Sequence, residues 1–143
     1  MFEIISLGTD IIEISRIKAI YDRFKDKFLN KIYTNKEIKY CLQKSDIITN
    51  QRLSSHFVAK EATIKTLRHK SGISFRQIEI QHKKNGAPFI KLYGNTLIIA
   101  KNWGINDFLI SMSHCHEYAI ATVIGIRIYS GTENIDKNNY YIV

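Results

Sequence analysis

The chain has 143 residues, of which 45% are hydrophobic and 24% charged, the profile of one globular domain rather than of a disordered or membrane-spanning protein. No apolar run approaches the roughly 18 to 20 residues of a membrane span, and we find no basic segment followed by an apolar one, as in a signal peptide. Cys41 and Cys115 match no metal-binding spacing, so we expect free thiols in a reducing cytoplasm.

The net charge of +8 predicts a partner that is negatively charged: nucleic acid, anionic lipid, a phosphorylated cofactor or an acidic protein. A non-catalytic nucleotide- or nucleic-acid-binding domain is therefore one alternative, although no RNP, KH or zinc-finger pattern is present. The first third of the chain is rich in basic residues, namely Arg16, Lys18, Arg23, Lys25, Lys27, Lys31, Lys36, Lys39 and Lys44.

The first predicted element is a strand from Glu3 to Ile12, apolar on both faces and therefore buried, with Gly8 interrupting it. Asp10 lies within this run, although strands and cores both disfavour Asp. It is either a turn residue at the end of the strand or a carboxylate directed at a functional site.

Two helices and a loop are predicted next. Ser15 is expected to cap the first helix, whose apolar residues recur at three- and four-residue spacing. Thr34 and Glu37 match a capping box for a short helix that continues to about Leu42. The segment 44–50 is predicted to be a loop before the central helix.

The central helix is predicted to begin after Ser54 or Ser55 and to continue to Leu67. Glu61 and Lys65 are four residues apart and share a face that otherwise carries apolar residues. Charges on an apolar face are costly to bury unless they are partnered. Two interpretations remain: a half-buried structural ion pair, or a metal ligand and a phosphate-binding lysine on a rigid scaffold.

The second half is predicted to contain a hairpin around Asn85-Gly86, one helix and two more strands. Mixed helices and antiparallel hairpins without regular alternation favour an α+β fold, with an antiparallel sheet packed against the long central helix. We expect one domain over residues 1–129 and a polar tail over 130–143. The predicted elements are strand 74–83, strand 88–93, helix 94–103, strand 108–113 and strand 118–129.

The loop between the last two strands contains His114, Cys115 and His116. Two histidines and one cysteine are a weak zinc signal, because structural zinc usually takes four ligands from paired segments. A histidine at a hairpin end is more often a surface or hydrogen-bonding residue, and it could also reach a phosphorylated ligand.

Four segments carry a family resemblance: Gly8–Ile17, Phe57–Lys65, Asn85–Pro88, and Ser113–His114 followed by Glu117–Ala119. In this order and spacing they resemble the holo-acyl-carrier-protein synthases, which are bacterial 4′-phosphopantetheinyl transferases. The resemblance extends from about residue 4 to residue 128. The Gly-x-Asp segment followed by Phe-x-x-Lys-Glu-x-x-x-Lys is specific to the superfamily, and the small size points to its homotrimeric branch.

The resemblance implies a cytoplasmic enzyme of fatty acid biosynthesis. It would transfer 4′-phosphopantetheine from coenzyme A to a serine of apo-acyl-carrier protein and release adenosine 3′,5′-bisphosphate. Asp10 and Glu61 match the family's magnesium ligands, and Lys65 matches a lysine near the pyrophosphate; these three are the implied catalytic residues.

The resemblance also implies where the two substrates bind. Lys65, Pro88 and His114 match coenzyme A-binding positions, and Arg16 matches a position that docks the acidic carrier protein. The basic N-terminal third thereby acquires a protein partner, and neither a membrane nor nucleic acid is expected as a partner. Each site would lie between neighbouring protomers of the trimer.

The sequence departs from the family in three places. The family usually has Arg before the Phe of the central motif, and His56 lacks the bidentate fork of an arginine. The segment 67–72 replaces a Phe-Gly-Thr-Gly-like loop, so the cofactor contacts of that loop are not carried over. The tail after Tyr129 is longer than usual, and we assign it no role.

Overall fold

The computed structural model describes residues 1–69 and 71–129. The predicted tail 130–143 lies outside them, so the division of the chain after residue 129 stays a prediction. Within the described part, no helix combines the length and the apolar character that crossing a membrane would require. The elements are β1 (Phe2–Glu13), α1 (Ile14–Phe24), α2 (Asp26–Ile32), α3 (Asn35–Cys41), α4 (Asp46–Leu67), a 3₁₀ turn (Phe75–Gln77), β2 (Ile78–His82), β3 (Pro88–Leu92), α5 (Gly94–Asn102), β4 (Asp107–His114) and β5 (Tyr118–Ile128).

The strands form an antiparallel three-stranded sheet in the order β1-β5-β4 and a separate hairpin of β2 and β3. Asp10 is paired with Ala121 across the β1–β5 ladder, and His114 is paired with Ala119 at the end of β4. The predicted Asn85-Gly86 turn is confirmed, with Gly86 at φ +87°. The predicted α+β class, with antiparallel sheets and a long central helix, is also confirmed.

The long helix α4 packs against the inner face of the three-stranded sheet at very short range. A Cβ atom added to Gly8 would lie 2.2 Å from the carbonyl oxygen of Ala62. Ser6 Oγ donates a hydrogen bond to the carbonyl oxygen of Thr66, at 2.6 Å. Gly8 therefore does not interrupt β1; it lets the backbone of the strand touch the backbone of the helix.

The outer face of the same sheet is open in the single chain. Leu7 and Ile11 are 61% and 60% exposed, and Ile120 beside them on β5 is 42% exposed. The prediction that β1 is buried on both faces is therefore wrong for one chain, because only the inner face is covered by α4. An apolar, uncovered sheet face of this kind is typical of a surface that binds another protein.

The cap predictions had mixed outcomes. The capping box is confirmed, since Thr34 N donates to Glu37 Oε2 at 2.9 Å and Glu37 N donates to Thr34 Oγ1 at 3.3 Å. The Ser15 cap is wrong, because α1 begins at Ile14 and Ser15 lies inside its first turn. Ile14 N instead donates to the backbone oxygen of Glu117 in the β4–β5 loop, so a tertiary hydrogen bond takes the place of a local cap.

The central helix is longer than predicted. It begins at Asp46, so the predicted loop 44–50 and the predicted start after Ser54 or Ser55 are both wrong. Both serines lie buried in the interior of the helix. Burial of Thr49 and Leu53 against α1–α3 explains the extra turns, since tertiary packing overrides weak local propensity.

Helix α4 divides the core into two clusters. The sheet-side cluster packs α4 against the strands and α5, and the helical cluster packs it against α1–α3. The segment predicted as strand 74–83 is shorter than expected, because its first part forms the 3₁₀ turn and pairing begins at Ile78. The helical cluster contains Ile17, Phe28, Leu29, Ile32, Tyr33, Cys41 and Leu53.

Candidate functional site

Asp10 and Lys65, far apart in sequence, meet where β1 crosses α4. Lys65 Nζ lies 2.9 Å from Asp10 Oδ1 and donates to the backbone oxygen of Thr9 at 2.9 Å. The side chain of Asp10 is 19% exposed, whereas that of Lys65 is 52% exposed. Asp10 is therefore a carboxylate within a paired strand rather than a turn residue, and its charge is partly compensated by Lys65.

Glu61 completes this group, one helical turn before Lys65. Burial and the negative charge of Asp10 raise the pKa of Glu61, while Lys65 acts in the opposite direction. The proposed ion pair between Glu61 and Lys65 is not the arrangement seen, because the ammonium contacts Asp10 instead. On the shared face Glu61 is half-buried and Lys65 is exposed, so neither charge is fully removed from solvent.

Two adjacent carboxylates suit a magnesium ion better than a zinc ion. Mg²⁺ is commonly held by one or two protein carboxylates together with substrate phosphates and water. Burial and, after it, repulsion from Asp10 raise the pKa of Glu61, and a divalent cation would relieve the repulsion. Across residues 1–69 and 71–129, no cluster of three His, Cys, Asp or Glu side chains could hold a metal by itself, so the weak zinc signal at His114 gains no support.

A second charged group lies inside the protein, on the other side of α4. Lys60, Glu37 and His56 are all 1% exposed or less. Lys60 Nζ lies 2.7 Å from Glu37 Oε2, and His56 Nδ1 lies 3.1 Å from Glu37 Oε1. Lys60 also donates to the backbone oxygens of Ile32 and Phe75, at 2.7 and 2.9 Å.

The pKa shifts in this buried group follow from burial and from the partners. Burial alone would raise the pKa of Glu37, but the hydrogen bond from His56 and the charge of Lys60 keep it below its ordinary value. Burial lowers the pKa of Lys60, and the charge of Glu37 opposes that shift. The group joins α3, α4 and the 3₁₀ turn, so loss of one partner would leave an uncompensated charge inside the scaffold that carries Glu61 and Lys65.

The predicted coenzyme A-binding residues Pro88 and His114 meet in one cleft of about 560 Å³. The cleft lies between the first half of α4, the β2–β3 hairpin and β4. Asp10, Glu61 and Lys65 do not line it. Within one chain the structure therefore places the predicted site residues in two regions, the carboxylate–lysine group and the cleft.

Aromatic rings form one wall of the cleft. The ring of Tyr40 stacks on those of His82 and His56, with centroids 4.6 and 5.5 Å apart. Arg52 lies above the Tyr40 ring, with Cζ 4.2 Å from its centroid. Burial lowers the pKa of His82 to about 4. Sequence reasoning missed this wall, although the four-residue spacing of Arg52 and His56 places them on one helix face.

The remaining predicted residues lie at the surface. Arg16 is exposed on the first turn of α1 and forms no ion pair with any residue that the structure describes, whereas Lys18 on the same helix pairs with Asp22. In the segment 67–72, Arg68 ends α4 with φ +50°. Lys70 of this segment lies outside the described residues.

Comparisons with known proteins establish the family of the chain. The family model "4'-phosphopantetheinyl transferase superfamily" matches residues 6–123. A holo-[acyl-carrier-protein] synthase of Dehalococcoides mccartyi is 43% identical over 117 residues, which cover 82% of this chain and 94% of that protein.

Solved structures show the same fold. The holo-acyl-carrier-protein synthase of Plasmodium yoelii superposes with a TM-score of 0.79 at 27% identity, covering 90% of this chain and 99% of that one. The Helicobacter pylori holo-[acyl-carrier-protein] synthase in complex with coenzyme A gives a TM-score of 0.70 at 33% identity, covering 82% of this chain and 96% of that one. The chain therefore belongs to the 4′-phosphopantetheinyl transferase superfamily, among the holo-[acyl-carrier-protein] synthases.

Proposed function

We propose that the chain transfers 4′-phosphopantetheine from coenzyme A to a serine of apo-acyl-carrier protein, with Mg²⁺, and releases adenosine 3′,5′-bisphosphate. The observation that carries the proposal is the meeting of Asp10, Glu61 and Lys65 from β1 and α4. The serine oxygen would form a bond to the phosphorus that carries pantetheine, the serine proton would be lost, and the diphosphate P–O bond would break.

Each residue of the carboxylate–lysine group has a role in this scheme. Asp10 and Glu61 would hold Mg²⁺, which when bound supplies positive charge to the diphosphate and the leaving group. Lys65 keeps its ammonium beside Asp10, and its half-exposed side chain can also reach the transferring phosphoryl group. Pro88 and His114 would contact the rest of coenzyme A in the cleft.

A homotrimer is part of the proposal for two reasons. The exposed apolar face that contains Leu7, Ile11 and Ile120 needs a cover, and a further copy of the chain would supply one. The cleft and the carboxylate–lysine group are separate within one chain, and a site between two protomers would combine them. Each protomer would then give its carboxylates to one site and its cleft to another.

The carrier protein is expected to dock on α1. An acidic partner matches the exposed basic side chains there, and Arg16 is not committed to an ion pair among the described residues. Arg16→Glu should raise the KM for the carrier protein more than it lowers kcat, because a charge at the rim affects encounter more than chemistry. An unchanged KM with a reduced kcat would contradict this role.

The central test is mass spectrometry of apo-acyl-carrier protein after incubation with coenzyme A, Mg²⁺ and the protein. The proposal predicts the added mass of phosphopantetheine on the serine and its loss with Glu61→Gln or with a carrier whose serine is replaced by alanine. An unmodified carrier after incubation with the wild-type protein would contradict it.

The shared site has its own test, in which Glu61→Gln and His114→Ala subunits are co-expressed. Random mixing should restore about a quarter of the sites, since one in four interfaces joins two intact halves. No recovery above the two separate variants would contradict a site built from two protomers, and it would leave the assignment of Asp10 and Glu61 unchanged.

The charge of +8 also raised the alternative of a non-catalytic nucleotide- or nucleic-acid-binding domain. Membership of a transferase family opposes that alternative, and we propose no second function. Electrophoretic shift with duplex and single-stranded oligonucleotides at physiological salt tests it, because such a domain would bind tightly and lose affinity steeply with salt. A cytoplasmic location and a role in fatty acid biosynthesis follow from the proposed carrier-protein substrate.

A further inference from the structure

The cleft that contains Pro88 and His114 is lined by one guanidinium and, among the described residues, by no carboxylate. Arg52 is the one Lys, Arg, Asp or Glu side chain among its described lining residues. His82 also lines it, but a pKa of about 4 leaves that ring neutral at physiological pH. Because a guanidinium stays protonated in proteins, Arg52 gives the cleft a permanent positive charge.

Arg52 is held in place before any ligand arrives. Its Nη1 donates to the backbone oxygen of Tyr40 at 2.7 Å, and its Cζ lies 4.2 Å from the centroid of the Tyr40 ring. The structure pairs one of its five N–H groups within the described residues. A guanidinium fixed in this way loses little freedom when it binds an anion, so more of the interaction energy remains as affinity.

Two neighbouring polar groups independently point to a ligand in the same place. Ser55 and His56 line the cleft and are 6% and 1% exposed. Ser55 Oγ and His56 Nε2 have no hydrogen-bond partner among the described residues. Buried polar atoms without a partner are rare and costly. A polar ligand group bound at this wall of the cleft would give these two atoms hydrogen-bond partners.

His56 is oriented by the buried charged group. Its Nδ1 faces Glu37 Oε1 at 3.1 Å, and an ionised carboxylate only accepts hydrogen bonds, so Nδ1 must carry a proton. The free end of the ring is then Nε2. In the neutral ring Nε2 accepts a hydrogen bond, and the P–OH of a singly protonated phosphate monoester would supply one.

The anion can be identified from the chemistry of coenzyme A, which carries a diphosphate and a 3′-phosphate. The proposed reaction places the diphosphate beside Asp10, Glu61 and Lys65, none of which lines the cleft of the same chain. We propose, on the basis of that reaction, that Arg52 binds the 3′-phosphate of coenzyme A, with Ser55 and His56 completing the site. A phosphate monoester matches the guanidinium fork.

This assignment also accounts for the departure at position 56. Residues 52 and 56 are four apart in α4 and therefore share a face, one turn from each other. The arginine that the family usually has before the Phe is absent, and Arg52 places a guanidinium on the same face one turn earlier. Arg52 thus becomes the residue that distinguishes coenzyme A from 3′-dephospho-coenzyme A.

The test compares coenzyme A with 3′-dephospho-coenzyme A, by steady-state kinetics and by calorimetric binding. Arg52→Gln should raise KM and Kd for coenzyme A by about 10- to 100-fold, the effect of losing a charge-assisted hydrogen bond. Both constants for the dephospho form should change far less, so the preference for coenzyme A collapses. Arg52→Lys should give constants between those of the wild type and of Arg52→Gln, because lysine keeps the positive charge and lacks the two-pronged guanidinium.

Arg76→Gln is the matched control, since Arg76 is exposed on the 3₁₀ turn and does not line the cleft. Equal losses for both ligands with Arg52→Gln, or an unchanged preference, would overturn the inference. If the wild-type protein has no transferase activity but its binding preference depends on Arg52, the proposed reaction fails and this inference survives. If it has transferase activity and Arg52→Gln leaves the preference unaltered, the proposed reaction survives and this inference fails.

Discussion

Helix α4 carries two lysine–carboxylate groups that use the same residue types in opposite environments. Lys60 and Glu37 are fully buried, and every oxygen or nitrogen of the pair has a partner within the scaffold. Lys65 and Asp10, which form the second pair, are 52% and 19% exposed and lie beside Glu61. The difference teaches that residue type alone does not identify a reactive site: saturation of partners marks a structural group, and incomplete saturation marks one that can accept a ligand.

The largest expected effect is a loss of turnover when the carboxylate–lysine group is changed. Glu61→Gln keeps the shape of the side chain and removes the charge, so turnover should fall by about a thousandfold or more, as for loss of a group that stabilises transition-state charge. The thermal midpoint should change little, because Glu61 has no ion pair with Lys65 to lose. Steady-state kinetics and calorimetry measure the two quantities, with exposed Glu117→Gln as control. A large fall in the midpoint would make Glu61 a structural residue.

A glutamate-to-glutamine change in the buried group should mainly reduce stability and affect turnover less. Glu37→Gln leaves the ammonium of Lys60 buried without a counter-charge, and the free energy of unfolding should fall by about 3–5 kcal/mol. Urea denaturation measures this loss, and turnover per folded molecule should fall far less than with Glu61→Gln. The double variant Glu37→Leu, Lys60→Met should recover part of the stability, since it removes both buried charges. If the double variant is no more stable than Glu37→Gln, the loss of stability is not mainly electrostatic.

The two lysines allow a matched comparison on one helix. Lys65→Gln should change the free energy of unfolding by no more than about 0.5 kcal/mol, as expected for a partly exposed ion pair. Its turnover should fall by about 10- to 100-fold, because a charge near the phosphoryl group is lost. Lys60→Gln should reverse the pattern and mainly destabilise. Equal destabilisation by both substitutions would remove the distinction between the groups.

The smallest expected effect is on the pH dependence of stability, and it comes from His82, whose ring stacks on that of Tyr40. The pKa of His82 in the folded chain is about 4, against an ordinary 6.5, so between these values the unfolded chain binds more protons. Stability should therefore fall as pH drops from 6.5 to 4, by about 1–2 kcal/mol after allowance for partial exposure of the ring. His82→Gln should flatten this slope in urea midpoints, and exposed His116→Gln should not. A slope unchanged by His82→Gln would contradict the assignment.

Sequence reasoning predicted the fold class and singled out the residues of the carboxylate–lysine group. Both predictions depend on local pattern and on family motifs. Asp10 and Glu61 were identifiable since a carboxylate in an otherwise apolar segment breaks the pattern. Lys60 was not, because its burial depends on backbone oxygens of Ile32 and Phe75, which are distant in sequence. Glu37 was recognised only as a helix cap, although its carboxylate also holds His56 and Lys60.

The start of α4 and the cleft were beyond sequence reasoning for a related reason. The first two turns of α4 have weak local signals and are fixed by packing against other helices, so segment 44–50 was mistaken for a loop. The cleft joins Arg52, Pro88 and His114 from three parts of the chain. The family motifs identified Pro88 and His114, but not the arginine between Tyr40 and the cleft.

The contact at Gly8 bears on how the two ligands of the proposed metal site are held together. Two residues before Asp10, the backbone of β1 lies so close to α4 that an added Cβ would meet Ala62 O at 2.2 Å. Main-chain contact therefore holds the strand that carries Asp10 against the helix that carries Glu61. A side chain at position 8 would have to push β1 away from α4, and the two proposed metal ligands would move apart with their backbones. In this protein a glycine with no chemistry of its own would keep the proposed ligands together.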